Sequence, residues 1–301
     1  MPWKKLGVIF DSRNRVDWIK SHSWVPIPDS IGEGLFKVYF SGRNSQNYSL
    51  PGAFTIDIKN PFKLLDFTKK PLLSLGDLGA FDDSGVIPSW ILNNNGKKYM
   101  FYSGWMEGKK VPYHSSVGLA VSDDGGQTFS KTFPAPLFPL NEIDPYFTAS
   151  CCVLIEDGIW KAWYTSNTKW EVINNIPTPK YHIKYAESKD GEVWQRHGLI
   201  AIDFKNANEY AITRPWIIKE NGKYKMWFTY RGEYNKIGYA ESLDGVLWER
   251  KIGKFNLDIS TEGWDSKMVA YGAVVEYEDQ KYMFYNGNNY GQEGIGLAIF
   301  E

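Results

Sequence analysis

Acidic residues precede four short apolar segments of the chain at a nearly constant distance. The segments are anchored at Pro88, Cys151, Pro215 and Gly272, and an acid stands five to seven residues before each anchor. These acids are Asp82 and Asp83, Asp144, Glu209, and Asp265. Cleavage of a glycosidic bond uses two carboxyl groups, because one protonates the leaving oxygen while the other activates water or attacks carbon. The pattern therefore favours carbohydrate chemistry, provided that the fold brings the acids together.

Four of these acids are candidate catalytic residues. Asp83 and Asp144 are candidates for the base, or for tuning a neighbouring pKa, because like charges at close range raise the pKa of one partner. Glu209 is the candidate general acid, and Asp265 is an alternative partner. The other interpretation of each acid is a loop residue that caps a strand or a turn.

A second set of residues is predicted to bind substrate. Arg214 stands directly before the Pro215 anchor and Arg43 ends another strand segment, so each guanidinium either clamps an anionic substrate or forms a salt bridge within the fold. Trp105 and Trp170 fall where an indole ring either stacks on a sugar or plugs the surface. The remaining members of this set are His22, Asp82 and Tyr271.

The segments that must position these residues belong to a repeat. One strand-like phrase recurs five times, and its aligned aromatic residues are Phe40, Tyr102, Tyr164, Phe228 and Tyr285. Their spacings are 62, 62, 64 and 57 residues. The stretch from 211 to 250 shows that one unit contains four short strand segments separated by turn residues. The apolar anchors lie in the first strand of each unit, and Pro26 is the equivalent anchor of the first unit.

Three of the units also carry a hairpin of the form Ser-x-Asp-Gly. These hairpins begin at Ser122, Ser188 and Ser242. An aspartate can accept hydrogen bonds from turn amides, and glycine takes a positive φ without strain. We interpret these three aspartates as structural and not catalytic.

Five repeated sheets of this size predict an all-β fold, a five-bladed β-propeller with four antiparallel strands per blade. The last unit ends after its third strand, and Trp3 to Phe10 alternates suitably for a strand. We therefore expect the N-terminal strand to complete the last blade and close the ring. Because the repeat runs from end to end, residues 1–301 are predicted to form one domain.

Composition excludes several classes of protein. The formal charge of −1 gives no basic excess, so a nucleic acid partner is not expected. No apolar run is long enough to span a membrane, and no secretion signal is recognisable at the start. Cys151 and Cys152 are adjacent in a predicted strand, where neighbouring side chains point to opposite faces, so we do not expect a disulfide between them. These features predict a cytoplasmic protein; the oligomeric state is left open.

Several phrases carry a resemblance to a known family. They are Phe81-Asp82-Asp83-Ser84-Gly85-Val86, Asp144-Pro145-Tyr146-Phe147, Ala211-Ile212-Thr213-Arg214-Pro215 and Gly263-Trp264-Asp265-Ser266. The chain resembles, over essentially its whole length, bacterial five-bladed propellers related to the arabinanase, xylosidase and fructosidase group of glycoside hydrolases, which are often associated with surface-polysaccharide gene clusters. The resemblance implies a funnel-shaped carbohydrate site on the propeller axis. It also allows a calcium ion in the channel, since some relatives hold one, although the residues imply no required cofactor and no metal site.

One position departs from that family. Better-known relatives place an Asp on the first inner strand, whereas this chain has Ser21-His22-Ser23 there and no acid in register. Either other acids have taken over, or hydrolysis has been lost. His22 is either a packing histidine or, if it faces several carboxylates, a protonated group that helps to hold an ion.

Three functional hypotheses follow. The leading one is a cytoplasmic carbohydrate-active enzyme, a glycoside hydrolase or a related transglycosylating enzyme, acting on a small glycan or an activated sugar. The first alternative is a non-catalytic sugar-binding or assembly module in surface polysaccharide biosynthesis. The second is a sialidase-like hydrolase with Arg43, Arg214 and Arg231 as an anion clamp, although such enzymes normally have six blades.

Overall fold

The regular secondary structure of the chain consists almost entirely of β-strands, most of them paired antiparallel, so the predicted all-β class is confirmed. The computed structural model describes residues 2–301. The first half of the chain contains β1 (Trp3–Phe10), β2 (Ser21–Gly32), β3 (Leu35–Arg43), β4 (Ser49–Asp57), β5 (Leu64–Phe67), β6 (Gly85–Asn94), β7 (Lys97–Glu107), β8 (Tyr113–Ser122), β9 (Ser130–Lys131) and β10 (Thr148–Glu156). These strands are followed by β11 (Ile159–Ile173), β12 (Ile176–Ser188), β13 (Trp194–Gln195), β14 (Ile200–Ile202), β15 (Ala211–Glu220), β16 (Lys223–Arg231), β17 (Asn235–Ser242), β18 (Glu249–Lys251), β19 (Ala270–Tyr277), β20 (Gln280–Asn286) and β21 (Ile295–Phe300). A turn, α1 (Asn288–Gly291), separates the last two strands and is left-handed at Asn289 and Tyr290.

The strands form three hydrogen-bonded sheets of four, nine and eight strands. The two larger sheets are each joined in the middle by one parallel bridge, between β4 and β6 or between β12 and β15, and division at these bridges leaves five consecutive groups of antiparallel strands. The first four groups are β2 to β5, β6 to β9, β10 to β14 and β15 to β18, and the last contains β19, β20, β21 and β1. In the last group, β1 lies beside β21, with Trp3 opposite Phe300 and Phe10 opposite Ile295. The first and last groups also touch, because the Val25 N–H donates to Asn286 Oδ1 at 2.8 Å. The first strand of every group thus carries one of the aligned anchors.

Large aromatic side chains fill the spaces between neighbouring groups. Trp163 and Trp227 are fully buried. The Trp163 indole N–H donates to the Gly245 carbonyl, at 2.6 Å, in the hairpin of the next group. Burial of one such side chain contributes roughly 1.5–3 kcal/mol or more to folding. Each group therefore buries its large aromatic side chains against the next group. A single four-stranded sheet would leave the same side chains exposed to solvent.

The three Ser-x-Asp-Gly hairpins share one hydrogen-bonding pattern. In the second of them the Ser188 hydroxyl donates to Asp190 Oδ1 at 2.9 Å, and the same oxygen accepts the backbone N–H groups of Glu192 and Val193 at 2.8 Å. Asp244 repeats these contacts. These hydrogen bonds lower the pKa of both aspartates. The carboxylates hold their own turns, which supports the structural interpretation.

Candidate functional site: an axial cavity rich in arginine

A cavity of about 610 Å³ opens where the first strands of the five groups converge. Its lining draws residues from every group, among them Trp24, Arg43, Ile87, Trp105, Ser150, Tyr181, Arg214, Arg231, Tyr271 and Tyr290. The volume falls in the range of small-molecule sites. We call this space the axial cavity.

The residue that directly precedes each anchor lines the axial cavity. These five residues are Val25, Ile87, Ser150, Arg214 and Tyr271. The register of each first strand shifts at or beside this position, for example between Thr213 and Trp216 and between Ala270 and Ala273. A β-bulge re-aims a side chain out of the regular alternation of a strand. The bulges therefore turn one residue per group towards the axis.

Three of these axial residues have a strained backbone. Val25, Arg214 and Tyr271 have φ values of 60°, 57° and 60°, in the left-handed region that residues other than glycine rarely occupy. Such strain costs on the order of 1–3 kcal/mol per residue and persists only where the surroundings enforce it. The enforcement comes from the preceding group, since Thr229 Oγ1 accepts the Tyr271 N–H at 2.7 Å. Asn286 holds Val25 in the same way.

Arg214 reaches across the axial cavity without meeting a carboxylate. Its side chain is 7% exposed, and its Nη1 donates to the carbonyl oxygens of Pro88 and Ser89 at 3.2 and 3.4 Å. Burial lowers the pKa of the guanidinium to about 10, which leaves it charged at neutral pH. Within residues 2–301, Arg214 therefore forms no salt bridge, which was the alternative to a substrate clamp.

Arg43 and Arg231 line the same cavity and are held by uncharged partners. Arg43 lies over the Trp24 ring at 4.8 Å and donates from Nη1 to Asn47 Oδ1 at 2.8 Å. Arg231 lies over the Tyr210 ring at 5.3 Å and donates from Nη1 to the Tyr290 hydroxyl at 2.9 Å. Stacking on aromatic rings orients a guanidinium and leaves its remaining N–H groups available.

His22 and Tyr271 are two further cavity groups with shifted pKa values. Burial, together with the positive charge of Arg43, lowers the pKa of His22 to about 4, so the imidazole is neutral at pH 7. The alternative of a protonated histidine applied only if His22 faced carboxylates, and no Asp or Glu lines this cavity among residues 2–301. Burial raises the pKa of the Tyr271 hydroxyl well above its ordinary value, although Arg214 and Arg43 oppose the shift. Tyr271 is therefore a hydrogen-bond donor at neutral pH.

The structure does not bring the predicted acids to this cavity. Within residues 2–301, no Asp or Glu belongs to its lining. Asp82, Asp144 and Asp265 are buried, and each accepts a hydrogen bond from the tyrosine 20 residues later, namely Tyr102, Tyr164 and Tyr285, at 2.9, 2.9 and 3.0 Å. A cation from the outer part of the same group completes each contact. We call these three arrangements the acid–tyrosine pins.

The cations of the pins lie close to the carboxylates. Lys131 is 2.6 Å from Asp82, Arg196 is 2.9 Å from Asp144, and Lys5 is 2.7 Å from Asp265. A buried carboxylate is stable when a cation and hydroxyl groups satisfy it. The expected acidic rim is therefore replaced by three separate structural contacts, and the predicted role of Asp82 in substrate binding gains no support from its position.

The other two acids are also engaged elsewhere. Glu209 accepts both terminal nitrogens of Arg250 at 2.6 and 2.9 Å, and this guanidinium lies 5.2 Å from the ring of Phe228, which occupies the position of the pin tyrosine. Asp83 accepts the Ser84 hydroxyl at 2.7 Å and the Gly79 N–H at 3.0 Å. The catalytic assignments of Asp83, Asp144, Glu209 and Asp265 stay predictions, and the structure gathers none of these residues around the axial cavity.

Most of the residues that were predicted to bind substrate lie in the lining of the axial cavity. His22, Arg43, Trp105, Arg214 and Tyr271 all line the axial cavity. Trp170 does not, but it packs edge-on against the lining residues Tyr113 and Phe147 at 5.6 and 5.9 Å. Trp170 therefore supports the wall of the cavity from behind.

Sequence reasoning missed two features of the site. The lining residues Tyr113, Tyr181 and Tyr290 were not predicted, because they lie in excursions outside the repeat and no spacing marks them. The acid–tyrosine pins left a readable signal, the separation of 20 residues between each Asp and its Tyr. Where the tyrosine is replaced, as at Phe228, the aspartate is absent too.

The axial cavity does not suit a calcium ion. Calcium takes six to eight oxygen ligands, usually including carboxylates, whereas this lining offers three guanidinium groups and no acid among the described residues. In the described part of the chain, no group of three or more His, Cys, Asp or Glu residues is arranged to hold a metal ion. Among residues 2–301 there is also no helix with the length and apolar character needed to cross a membrane.

Comparison of the sequence with known proteins identifies relatives at the level of the whole chain. No family model matches the sequence. It is 36% identical over 303 residues to the Mycobacterium tuberculosis protein named "Uncharacterized protein Rv1502", with 100% of both chains covered. A second strain of that species has a protein named "Uncharacterized protein MT1551" at the same identity and coverage.

Comparison with solved structures identifies the fold as that of the propeller glycoside hydrolases. A structure named "Glycoside hydrolase" matches with a TM-score of 0.78 at 18% identity, covering 99% of this chain and 91% of that one. The catalytic domain of the Coprinopsis cinerea GH62 alpha-L-arabinofuranosidase matches with a TM-score of 0.68 at 10% identity, covering 99% and 96%. A thermostable family-43 glycoside hydrolase gives 0.67 at 19% identity, covering 95% and 90%. At these identities the likeness shows the fold alone.

Proposed function

The chain belongs to the protein family of Mycobacterium tuberculosis Rv1502, and we propose that this family is carbohydrate-active and holds a small glycan in the axial cavity. The proposal includes the architecture that builds the cavity, one domain closed as a ring of five blades. The pairing of β1 with β21 and the hydrogen bond between Val25 and Asn286 support the closed ring.

The observation that carries the proposal is the chemistry of the axial lining. Aromatic rings and hydroxyl groups share this lining: Trp24, Trp105 and Tyr271 supply the rings, and Ser150, Thr165 and Thr213 supply hydroxyl groups. Sugar rings present C–H faces that pack on aromatic rings and hydroxyl groups that need hydrogen-bonding partners. The strained axial residues add support, since backbone strain concentrates at functional sites.

A matched pair of variants tests glycan binding. Trp105→Ala removes an aromatic side chain from the lining of the axial cavity, and Ile252→Ala removes an exposed apolar side chain that is not part of the lining, as a control. With binding measured by calorimetry or ligand-detected NMR over a panel of monosaccharides and short glycans, Trp105→Ala should weaken affinity about tenfold, or about 1.4 kcal/mol, and the control should not. The same affinity for both variants would contradict the axial site.

Cleavage of a glycosidic bond is the second candidate function, and the position of Tyr271 favours it. Its left-handed backbone places the phenol in the cavity lining, and burial, which raises the pKa of the hydroxyl, keeps it a hydrogen-bond donor at neutral pH. A fixed donor aimed at the oxygen on which negative charge develops stabilises the transition state of bond cleavage. Tyr271→Phe should then lower turnover about 100-fold while leaving glycan binding nearly unchanged. A bound glycan recovered intact after long incubation with the wild-type protein would instead favour a binding or assembly module, such as one serving surface polysaccharide biosynthesis.

We also propose a cytoplasmic location. Cys151 and Cys152 are both buried and both free, which suits a reducing compartment. Fractionation of the native host, followed by immunodetection, would test this proposal.

A further inference from the structure

We propose that the ligand of the axial cavity is an anionic sugar, and that Arg214, Arg43 and Arg231 form the subsite for its carboxylate or phosphate group. This inference rests on the proposed glycan site and adds the charge of the ligand to it. A carboxylate and a phosphate share the chemistry that a guanidinium recognises, two or more anionic oxygens in a plane with its N–H fork.

The first observation is the isolation of Arg214. It is more than nine-tenths buried, and the acceptors that it reaches are two carbonyl oxygens on the opposite side of the cavity. No ion pair to Arg214 occurs among the described residues of the chain. A charge removed from water without a counter-ion is strongly unfavourable. An anion bound in the cavity would supply the missing partner.

The second observation is the contrast with two partly buried arginines outside the cavity. The guanidinium of Arg196 meets Asp144 at 2.9 Å, and that of Arg250 meets Glu209 at 2.6 Å. The fold therefore supplies an acid where an arginine has only a structural role. The three arginines of the axial cavity differ from these two in lacking one within the described chain.

The third observation is that Arg43 and Arg231, which line the same cavity, also have no carboxylate partner within the described chain. The Nε atom of Arg43 is buried and has no hydrogen-bond partner in residues 2–301. Arg231 is oriented by a tyrosine ring and a tyrosine hydroxyl. Three cations and no acid in one lining of the described chain make an environment that favours an anion.

The first experiment uses inorganic phosphate as the probe. Thermal unfolding of the full chain is followed with increasing phosphate, against chloride at equal ionic strength, for the wild type, Arg214→Met and the exposed control Arg15→Met. Binding to the folded state raises the unfolding temperature. The wild type and Arg15→Met should gain several degrees more than Arg214→Met. An equal gain in all three proteins would overturn the anion subsite, because general salt effects act on every variant.

The behaviour of Arg214→Met without added anion gives a second readout. Replacing an uncompensated buried charge by an apolar side chain of similar length should leave the unfolding temperature unchanged or raise it. A purely structural arginine would lose stability on the same change. If Arg214→Met does not fold, the less buried Arg231→Met provides the same comparison. Lower stability of Arg231→Met, together with a response to phosphate equal to that of the wild type, would overturn the inference.

The second experiment separates the inference from the proposed function. Binding of glucuronate and of glucose 6-phosphate is compared with binding of glucose, for the wild type and Arg214→Met. Tighter binding of one acidic sugar, lost at least tenfold in Arg214→Met, supports the subsite and identifies its anion as a carboxylate or a phosphate. Binding of glucose as tight as that of both acidic sugars would overturn the inference and leave the glycan site standing. If the protein binds inorganic phosphate but none of the three sugars, the glycan site is contradicted and the anion subsite still stands.

Discussion

Buried charged side chains have different kinds of partner in two regions of this molecule. In the acid–tyrosine pins, each carboxylate is neutralised inside its own group, as Asp144 is by Arg196, Lys184 and Tyr164. Around the axial cavity, Arg214 has only carbonyl oxygens, and Arg43 has an amide oxygen and an aromatic ring. A charge that is fully paired has a role in folding, whereas a buried charge without a partner is available to a ligand.

The two regions also differ in backbone geometry. The pin residues occupy ordinary positions at the entrance to the first strand or within the second strand, while Val25, Arg214 and Tyr271 have positive φ values at bulges. The strained backbones of Val25 and Tyr271 are held by hydrogen bonds from the neighbouring group. The pins thus combine paired charges with ordinary backbone geometry, whereas the cavity combines strained backbone with arginines that have no carboxylate partner within residues 2–301.

The largest effect is expected from breaking a pin. Asp144→Ala leaves Lys184, Arg196 and the Tyr164 hydroxyl buried without their acceptor, so the free energy of unfolding should fall by about 3–5 kcal/mol. Urea denaturation measures the loss, and Asp17→Ala, at an exposed aspartate, should change little. Unchanged stability combined with lost turnover would instead return Asp144 to a catalytic role and end the contrast between the two regions.

A smaller effect is expected at the axial ring. Thr229→Val keeps the shape of the side chain but removes the acceptor of the strained Tyr271 N–H, which should lower the free energy of unfolding by about 1–3 kcal/mol. Glycan affinity or turnover should fall as well, because Tyr271 loses the contact that positions it. The exposed Thr261→Val serves as the control. A loss of stability without any change in binding would show that the axial hydrogen bonds serve the fold alone.

The smallest effect concerns pH. His22 has an ordinary pKa of 6.5 and a folded-state pKa of about 4, so between these values the unfolded chain binds the extra proton. The stability contributed by the neutral imidazole is present above pH 6.5 and is lost as the pH falls towards 4. Because the ring is partly exposed, the loss is on the order of 1 kcal/mol. The free energy of unfolding should change less between pH 7 and pH 4.5 in His22→Gln than in the wild type. The same change in both proteins would show that the His22 ring is solvated in the folded state.

Much of the fold could be predicted from local sequence. The recurrent aromatic phrase and the Ser-x-Asp-Gly hairpins specify short antiparallel strands and their turns, because the side chains and the turn amides that they satisfy lie a few residues apart. The anchors also identified the entrance to each first strand correctly, and with it Arg214 and Tyr271. The tyrosines of the axial cavity could not be found in this way, because Tyr181 and Tyr290 lie outside the aligned phrases.

The acids show where that reasoning stops. Their recurrence before the anchors was a real signal, but it arose from a repeated structural contact with a tyrosine 20 residues later and not from a shared pocket. Residue type and spacing are the same for a catalytic carboxylate and for a pinned one. The identity of the partner separates them, and for Asp144 that partner lies 52 residues away.

The sequence by itself determined that this chain forms repeated four-stranded units and that one residue per unit stands at the start of the first strand, because these features depend on contacts within about sixty residues. Only the tertiary structure decided which charges meet. Lys5 pairs with Asp265 from the other end of the chain, and Arg214 reaches Pro88 across the cavity. Electrostatic partners are chosen by distance in space, so the absence of a carboxylate beside Arg214 in the described residues became visible only when all five groups were in place.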